Sequence, residues 1–236
     1  MAKRFGFLVL AEHPYGREML AQLLAAGHVP AFLLEEDSDE AEVEREKFLE
    51  RMHGFEIAPS FDELLAGRSI RRLRVPHHNG EACRALLAQE RPDLIVLGGT
   101  RILKPFVIAA ARDGCLNAHP GLLPHVRGSA SVAWSIHRDL PVGCTCHFID
   151  GTIDTGPIVS RREIPVRRGD SYEKLCWETV RLSGTLMTEA VGAWKGGNLR
   201  STPQEPGGET HRNMPDELVR AVKRKLSEGR YARFAD

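Results

Sequence analysis

Residues 5–34 read FGFLVLAEHPYGREMLAQLLAAGHVPAFLL, and their pattern decides the fold. Phe5 to Leu10 is an unbroken apolar run of strand length, and the turn signal HPYG follows it. Arg17 to Ala26 then carries Met19, Leu23 and Leu24 at helical spacing, and Gly27 supplies a residue tolerant of positive φ to end the helix. Val29 to Leu34 predicts a second strand. A strand, a helix and a strand at this spacing imply parallel pairing through a right-handed crossover. The expected class is α/β, a mostly parallel open sheet with helices on both faces.

Further along, Ser60 and Glu63 form a capping-box pattern opening a helix through Leu65, Gly80 to Gln89 predicts another helix, and Leu94 to Leu97 reads as a buried central strand. Pro105 opens a helix to Ala111, and Cys115 to Ala118 resumes extended chain before His119-Pro120. Val142 to Ile149 and Ile158 to Val166 are strand candidates. Asp170 to Trp194 is the strongest helix, with Asp170 and Glu173 as a capping pair, and Gly196-Gly197 stops it. Residues 198–215 read as an irregular arm with at most a short hairpin, and Pro215 to Ser227 as a basic terminal helix.

The 236 residues suit one large domain with a small appendage. Lys plus Arg (32) equals Asp plus Glu (32), so the whole-chain field offers nucleic acid or an anionic membrane no general attraction. The charge is uneven: residues 35–63 hold 12 acids against three bases, read as a solvated helix face over Ala41 to Met52. Arg68, Arg71, Arg72 and Arg74 follow as surface residues balancing that stretch. Five cysteines, an odd number in a chain this long, suggest reduced buried thiols. The apolar run after Lys3 and Arg4 is too short for a signal peptide, and no run reaches membrane-span length, so a cytoplasmic protein is expected.

No GxGxxG, Walker loop, HExxH or GxSxG occurs. Cys144, Cys146 and His147 lack a second ligand pair at metal-site spacing, and the adjacent His77 and His78 point to opposite faces, so no metal is expected. Chemistry is instead looked for where two consecutive strands end in polar loops, beyond the carboxyl edge of a parallel sheet. Asn117 and His119 lie two apart at such a strand end, and Asp154 follows the next long strand in a Gly- and Thr-rich loop. Together they supply an oxyanion donor, a group titrating near neutrality and a carboxylate to orient it. As residue types alone they also suit loop caps and anchors.

Their context is more specific. Asn117-Ala118-His119-Pro120, Leu122-Leu123-Pro124, Arg127-Gly128, the Gly143 to His147 strand with Thr145, and Asp154-Thr155-Gly156-Pro157-Ile158 occur in the order seen in the folate-dependent formyltransferases, and the chain resembles that family over about residues 90–185. The resemblance implies 10-formyltetrahydrofolate as formyl donor and an amine as acceptor, with Asn117, His119 and Asp154 as the catalytic residues. It places Arg101, Ile102 and Leu103 against the pterin ring and the Ile149–Asp150 segment beside it. It also implies a formyltransferase domain over 1–197, with 198–236 as an arm and helix packed on or beside it.

Departures from relatives guide the acceptor. Glycinamide ribonucleotide enzymes carry a Gly- and Ser-rich phosphate loop after the first strand, where this chain has Glu12-His13-Pro14-Tyr15-Gly16. The tRNA enzymes add a C-terminal β-barrel, for which the residues after Trp194 are too few. The expected acceptor is therefore a small-molecule amine, either an amino-sugar nucleotide or an amino-acid-derived amine or hydroxylamine, with His13, Tyr15 and Arg127 as its contacts. Neither nucleic acid nor membrane is an expected partner, and a homodimer is the expected oligomer if one forms. The alternatives are a formyltetrahydrofolate hydrolase, whose relatives add a domain before the first strand, and a non-catalytic folate-binding protein.

Overall fold

Every residue of the first strand, β1 (Phe5–Leu10), is buried in the computed structural model, which describes residues 3–235. It is paired along both edges with parallel strands, and its two faces pack into separate core layers. Pro14 opens α1 (Pro14–Ala25), which buries Met19, Leu20 and Leu23 against the sheet. The parallel partner β2 spans Phe32–Glu36, three residues later than the predicted Val29 start. Pro30 has no N–H to donate to a ladder, and Val29 is exposed. The strand also runs through Glu35 and Glu36, which are fully buried and do not belong to the solvated acidic face read from the sequence. That face begins at α2 (Asp39–Arg51), capped by Ser38, of which only Ala41 is buried.

After α3 (Phe61–Leu65), whose capping box of Ser60 and Glu63 forms as predicted, comes an unexpected strand, β3 (Arg71–Val75). It is an edge strand, and its arginines hide its period while blunting the edge. Arg72 pairs with Glu12, Glu35 and Asp62, and Arg71 with Glu90. The chain continues through α4 (Glu81–Glu90), β4 (Leu94–Leu97) and α5 (Pro105–Ile108), which stops short of the predicted Ala111, and a turn at Gly114 (φ 92°) leads into β5 (Cys115–His119). Then come two elements the sequence did not announce, β6 (Val126–Gly128) and α6 (Ser131–His137), and two antiparallel strands, β7 (Val142–Phe148) and β8 (Ile158–Ile164). Pro165 ends β8 before the predicted Val166.

The seven-stranded sheet has the order β3-β2-β1-β4-β5-β7-β8, parallel through β5 and antiparallel beyond it. Alternation along β1 divides the core: Phe7 packs with residues of α1, α6 and the long α7 (Tyr172–Lys195), while Leu8 packs with Leu87 of α4 and Val107 of α5. The cap of α7 is Ser171, not the predicted Asp170, whose carboxylate accepts from Arg167 N (2.7 Å) and Lys174 Nζ (2.5 Å). The segment after α7 contains no hairpin. Thr202 bridges Ile158, β9 (Glu209–His211) pairs parallel with β6, and α8 (Asp216–Ser227) packs on α6. All five cysteines are buried and unpaired. No helix among the described residues is long and apolar enough to cross a membrane.

Candidate active site

Strand order reverses between β1 and β4, so the loops that leave their carboxyl ends diverge and open a crevice. The loop after β1 brings His13 and Tyr15 to it, the loop after β4 brings Arg101 to Leu103, and β5 brings Asn117 and His119. Residues 115, 117 and 119 share one face of β5. Cys115 at its start packs in the α4–α5 layer, and Asn117 and His119 extend that face to the end of the strand.

β7 runs antiparallel beside β5 and sets His147 directly opposite Asn117, and Thr145 opposite His119. The Asn117 amide nitrogen is 3.3 Å from His147 Nε2, while His147 Nδ1 is 2.8 Å from Phe148 O. A neutral ring that donates from Nδ1 to that carbonyl has Nε2 free to accept from Asn117. Burial, with the neighbouring His119, pushes the His147 pKa down to about 4 against the pull of Asp154, which keeps the ring neutral near pH 7. The amide orientation of Asn117 is thereby set, with its second hydrogen unused.

Asp154 joins the two histidines. Its Oδ2 lies 3.3 Å from His119 Nδ1 and accepts from Gly128 N at 2.8 Å, and its Oδ1 lies 3.6 Å from His147 Nε2. On the far side of its ring, His119 Nε2 is 2.9 Å from Val126 O. Ser131 Oγ is 3.2 Å from the same nitrogen, so both ring nitrogens are engaged by protein groups. Thr145 braces the Gly121–Pro124 turn beneath, accepting from Leu123 N (3.0 Å) and donating to Gly121 O (2.8 Å).

Two cavities meet at this network. The larger, of about 940 Å³, is lined by Ile102, Leu103, Ile149, Asp150, His119 and Asp154, and it includes all five residues expected on the folate side. Ile102 and Ile153 are exposed apolar side chains on its wall. Asp150 shapes the loop by accepting from Thr152 N (3.0 Å) and Thr155 Oγ1 (2.7 Å), bonds that overcome burial and hold its carboxyl below the usual range. The smaller cavity, of about 650 Å³, is lined by His13, Tyr15, Glu40, Glu44 and Phe48. Thr100, Arg101, Ile102, Asn117, Ser129 and Asn213 belong to both.

Arg101 is committed to the protein: its guanidinium meets buried Glu36 at 2.5 Å, and Glu36 also accepts from His78 N at 2.8 Å. His13 is buried, and burial with the charge of Arg51 lowers its pKa to about 3. The Tyr15 hydroxyl donates to Ala118 O. Arg127, expected to touch the acceptor, lines neither cavity and donates to Gln204 Oε1 at 3.1 Å. Sequence reasoning missed His147, whose alternation with Cys144 and Cys146 on β7 already placed it on the opposite face. It also missed Thr210 to Asn213, which wall the larger cavity from the C-terminal arm.

An amide, an imidazole and a carboxylate at the carboxyl edge of an open parallel sheet, between two clefts, define a site suited to acyl transfer between two bound molecules. The chain belongs to the formyl transferase family, whose model matches residues 33–191. It is 28% identical over 228 residues to the methionyl-tRNA formyltransferase of Bordetella petrii, covering 91% of this chain and 68% of that one. It is 30% identical over 158 residues to the methionyl-tRNA formyltransferase of Myxococcus xanthus, covering 64% of this chain and 49% of the relative, so it spans only about half the length of that protein. Among solved structures, the phosphoribosylglycinamide formyltransferase of Anaplasma phagocytophilum superposes with a TM-score of 0.67 at 18% identity, covering 91% of this chain and 100% of that one. The formyltransferase PseJ of Anoxybacillus kamchatkensis, in complex with a UDP-linked formamido sugar and tetrahydrofolate, gives 0.60 at 19% identity, covering 94% of each chain. These structural likenesses establish the shared fold.

Proposed function

We propose that the chain is an N-formyltransferase that moves the formyl group of 10-formyltetrahydrofolate to the amine of a small molecule. The observation that carries this reading is the position of Asn117 in the wall common to both cavities, beside the His119–Asp154 pair. The larger cavity, with Ile102, Leu103 and Ile149 for a pterin and polar loop groups around Asp150, receives the folate. The smaller one receives the acceptor. The size of that cavity, and Pro14 where a phosphate loop would need free N–H groups, support a small amine without a phosphate at that loop.

In the proposed reaction the neutral amine attacks the formyl carbon. The free amide hydrogen of Asn117 donates to the oxyanion that develops on the formyl oxygen, and His119, whose two ring nitrogens are engaged by Asp154 and Val126 O, acts on it electrostatically without a direct hydrogen bond. Asp154 holds His119 and accepts the proton leaving the attacking nitrogen, directly or through a water, for return to the folate nitrogen as the C–N bond breaks. No covalent enzyme intermediate is needed. The test is a panel of amino-sugar nucleotides, amino-acid-derived amines and hydroxylamines incubated with 10-formyltetrahydrofolate. Folate release followed spectroscopically should coincide with a product 28 mass units heavier than the acceptor; folate release without any formylated amine would instead favour hydrolysis.

A further inference from the structure

The C-terminal arm contributes a side chain that reaches the centre of the site. Gln204 Nε2 donates to Asp154 O and to Gly156 O, both at 2.8 Å, and its Oε1 accepts from Arg127 Nη2 at 3.1 Å. The backbone it grips is unusual. Asp154 has φ 54°, in the left-handed region that side-chain-bearing residues hold only when their surroundings fix them. Gly156 approaches Phe148 O so closely that a Cβ would collide with it. The carboxylate of Asp154 is held on its other side by Gly128 N of β6. β6 is in turn paired with β9 of the arm, where Gly128 (φ 83°) lies against His211 O and Ser129 N donates to the same carbonyl at 2.9 Å.

Both ends of Asp154, backbone and carboxylate, are therefore fixed by a unit made of β6 and the arm. We propose that Gln204 is a positioning residue for Asp154: held by Arg127, it fixes the 154–156 backbone so that the carboxylate stays between His119 and His147. The arm is then part of the reaction centre. This inference rests on the acid–base role given above to Asp154.

The test uses the full chain with Q204M, which keeps the side-chain volume and removes both donors, together with R127M, the double variant and D154N. Hydroxylamine at high concentration serves as the probe acceptor for 10-formyltetrahydrofolate. Q204M should lower kcat about 10- to 100-fold, the scale expected when a reacting group is displaced by an ångström, while the folate KM changes less than about threefold. R127M/Q204M should be no slower than Q204M, because the two side chains act in series. Hydrogen exchange decides the matter without any acceptor: protection of the Gly128 N–H, which the Asp154 carboxylate accepts, should fall in Q204M while β1 and β4 keep theirs. Full-rate Q204M beside an inactive D154N, or unchanged protection of Gly128, would overturn the inference. An active D154N would instead remove the reading on which it rests.

Discussion

Asn117 on β5 and His147 on β7 sit directly opposite each other across an antiparallel pair, with Asn117 Nδ2 3.3 Å from His147 Nε2. A buried neutral histidine thus sets the direction of an amide in the wall shared by the two cavities. H147A should free that amide to rotate and lower kcat by about 10- to 100-fold, up to the loss of one oxyanion donor, with folate affinity little changed. Single-turnover rates beside equilibrium folate binding separate the two, and an equal loss in both would make His147 a packing residue.

His119 and Asp154 act, in the proposed chemistry, on charge that appears only in the transition state. H119A should cut turnover by about 10²- to 10³-fold, and D154N by about 10²- to 10⁴-fold. Calorimetry with a folate analogue should give nearly the wild-type affinity in both. Loss of binding in step with rate would assign them structural roles.

Thr145 is fully buried and serves two backbone groups of the turn after β5. T145V keeps the shape but leaves Leu123 N and Gly121 O without partners, at a cost of about 1–3 kcal/mol for each. Urea denaturation should show the midpoint falling with an unchanged m-value. A midpoint like that of the parent would mean the turn finds other partners.

His13 and His147 have folded-state pKa values near 3 and 4, lowered chiefly by burial, against 6.5 for an exposed ring. Below about pH 6.5 the unfolded chain takes up protons that the folded chain refuses. The stability these groups leave intact at neutral pH is therefore lost as the pH falls from 6.5 toward 4, at up to about 1.4 kcal/mol per pH unit for each ring. Urea midpoints measured from pH 7 to pH 5 should decline, and H13N should flatten the decline. A level profile in the parent protein would contradict the burial of these rings as neutral species.

The parallel centre of the sheet was legible because apolar runs such as Phe5–Leu10 and Leu94–Leu97 end at turn residues, and a strand buried on both faces needs no alternation to be recognised. The edge was not. Arg71, Arg72 and Arg74 of β3 answer acids elsewhere in the fold, so their strand reads as a charged surface run. Glu35 and Glu36 look solvated for the same reason, since the arginines that neutralise them lie 37 and 65 residues away, at Arg72 and Arg101. Asn117, His119 and Asp154 stood out because the motifs around them occur in the order seen in the formyltransferases; their types and spacing alone suit loop caps and anchors as well. The arm's part in the site was hidden, because Gly- and Pro-rich composition describes how a chain turns and says nothing of what it turns back to meet.

The reversal of strand order between β1 and β4 also partitions the molecule's capacity to change. The proposed acceptor cavity takes His13, Tyr15, Glu40, Glu44 and Phe48 from the segment leaving β1 and from α2, a helix that buries only Ala41. The proposed donor cavity is built on β4, β5 and the loop after β7, whose residues are bound into the sheet and the His–Asp network. Substitution of Glu44 on the inner side of α2 should therefore come at small cost to folding, whereas Glu40 pairs with Arg101 of the donor side at 3.7 Å and Phe48 packs on His13 with ring centroids 4.4 Å apart. A library at position 44, with Glu40 kept beside Arg101, should retarget the acceptor while one-carbon delivery stays intact, so one chassis could serve successive substrates by redecorating a single loosely held helix.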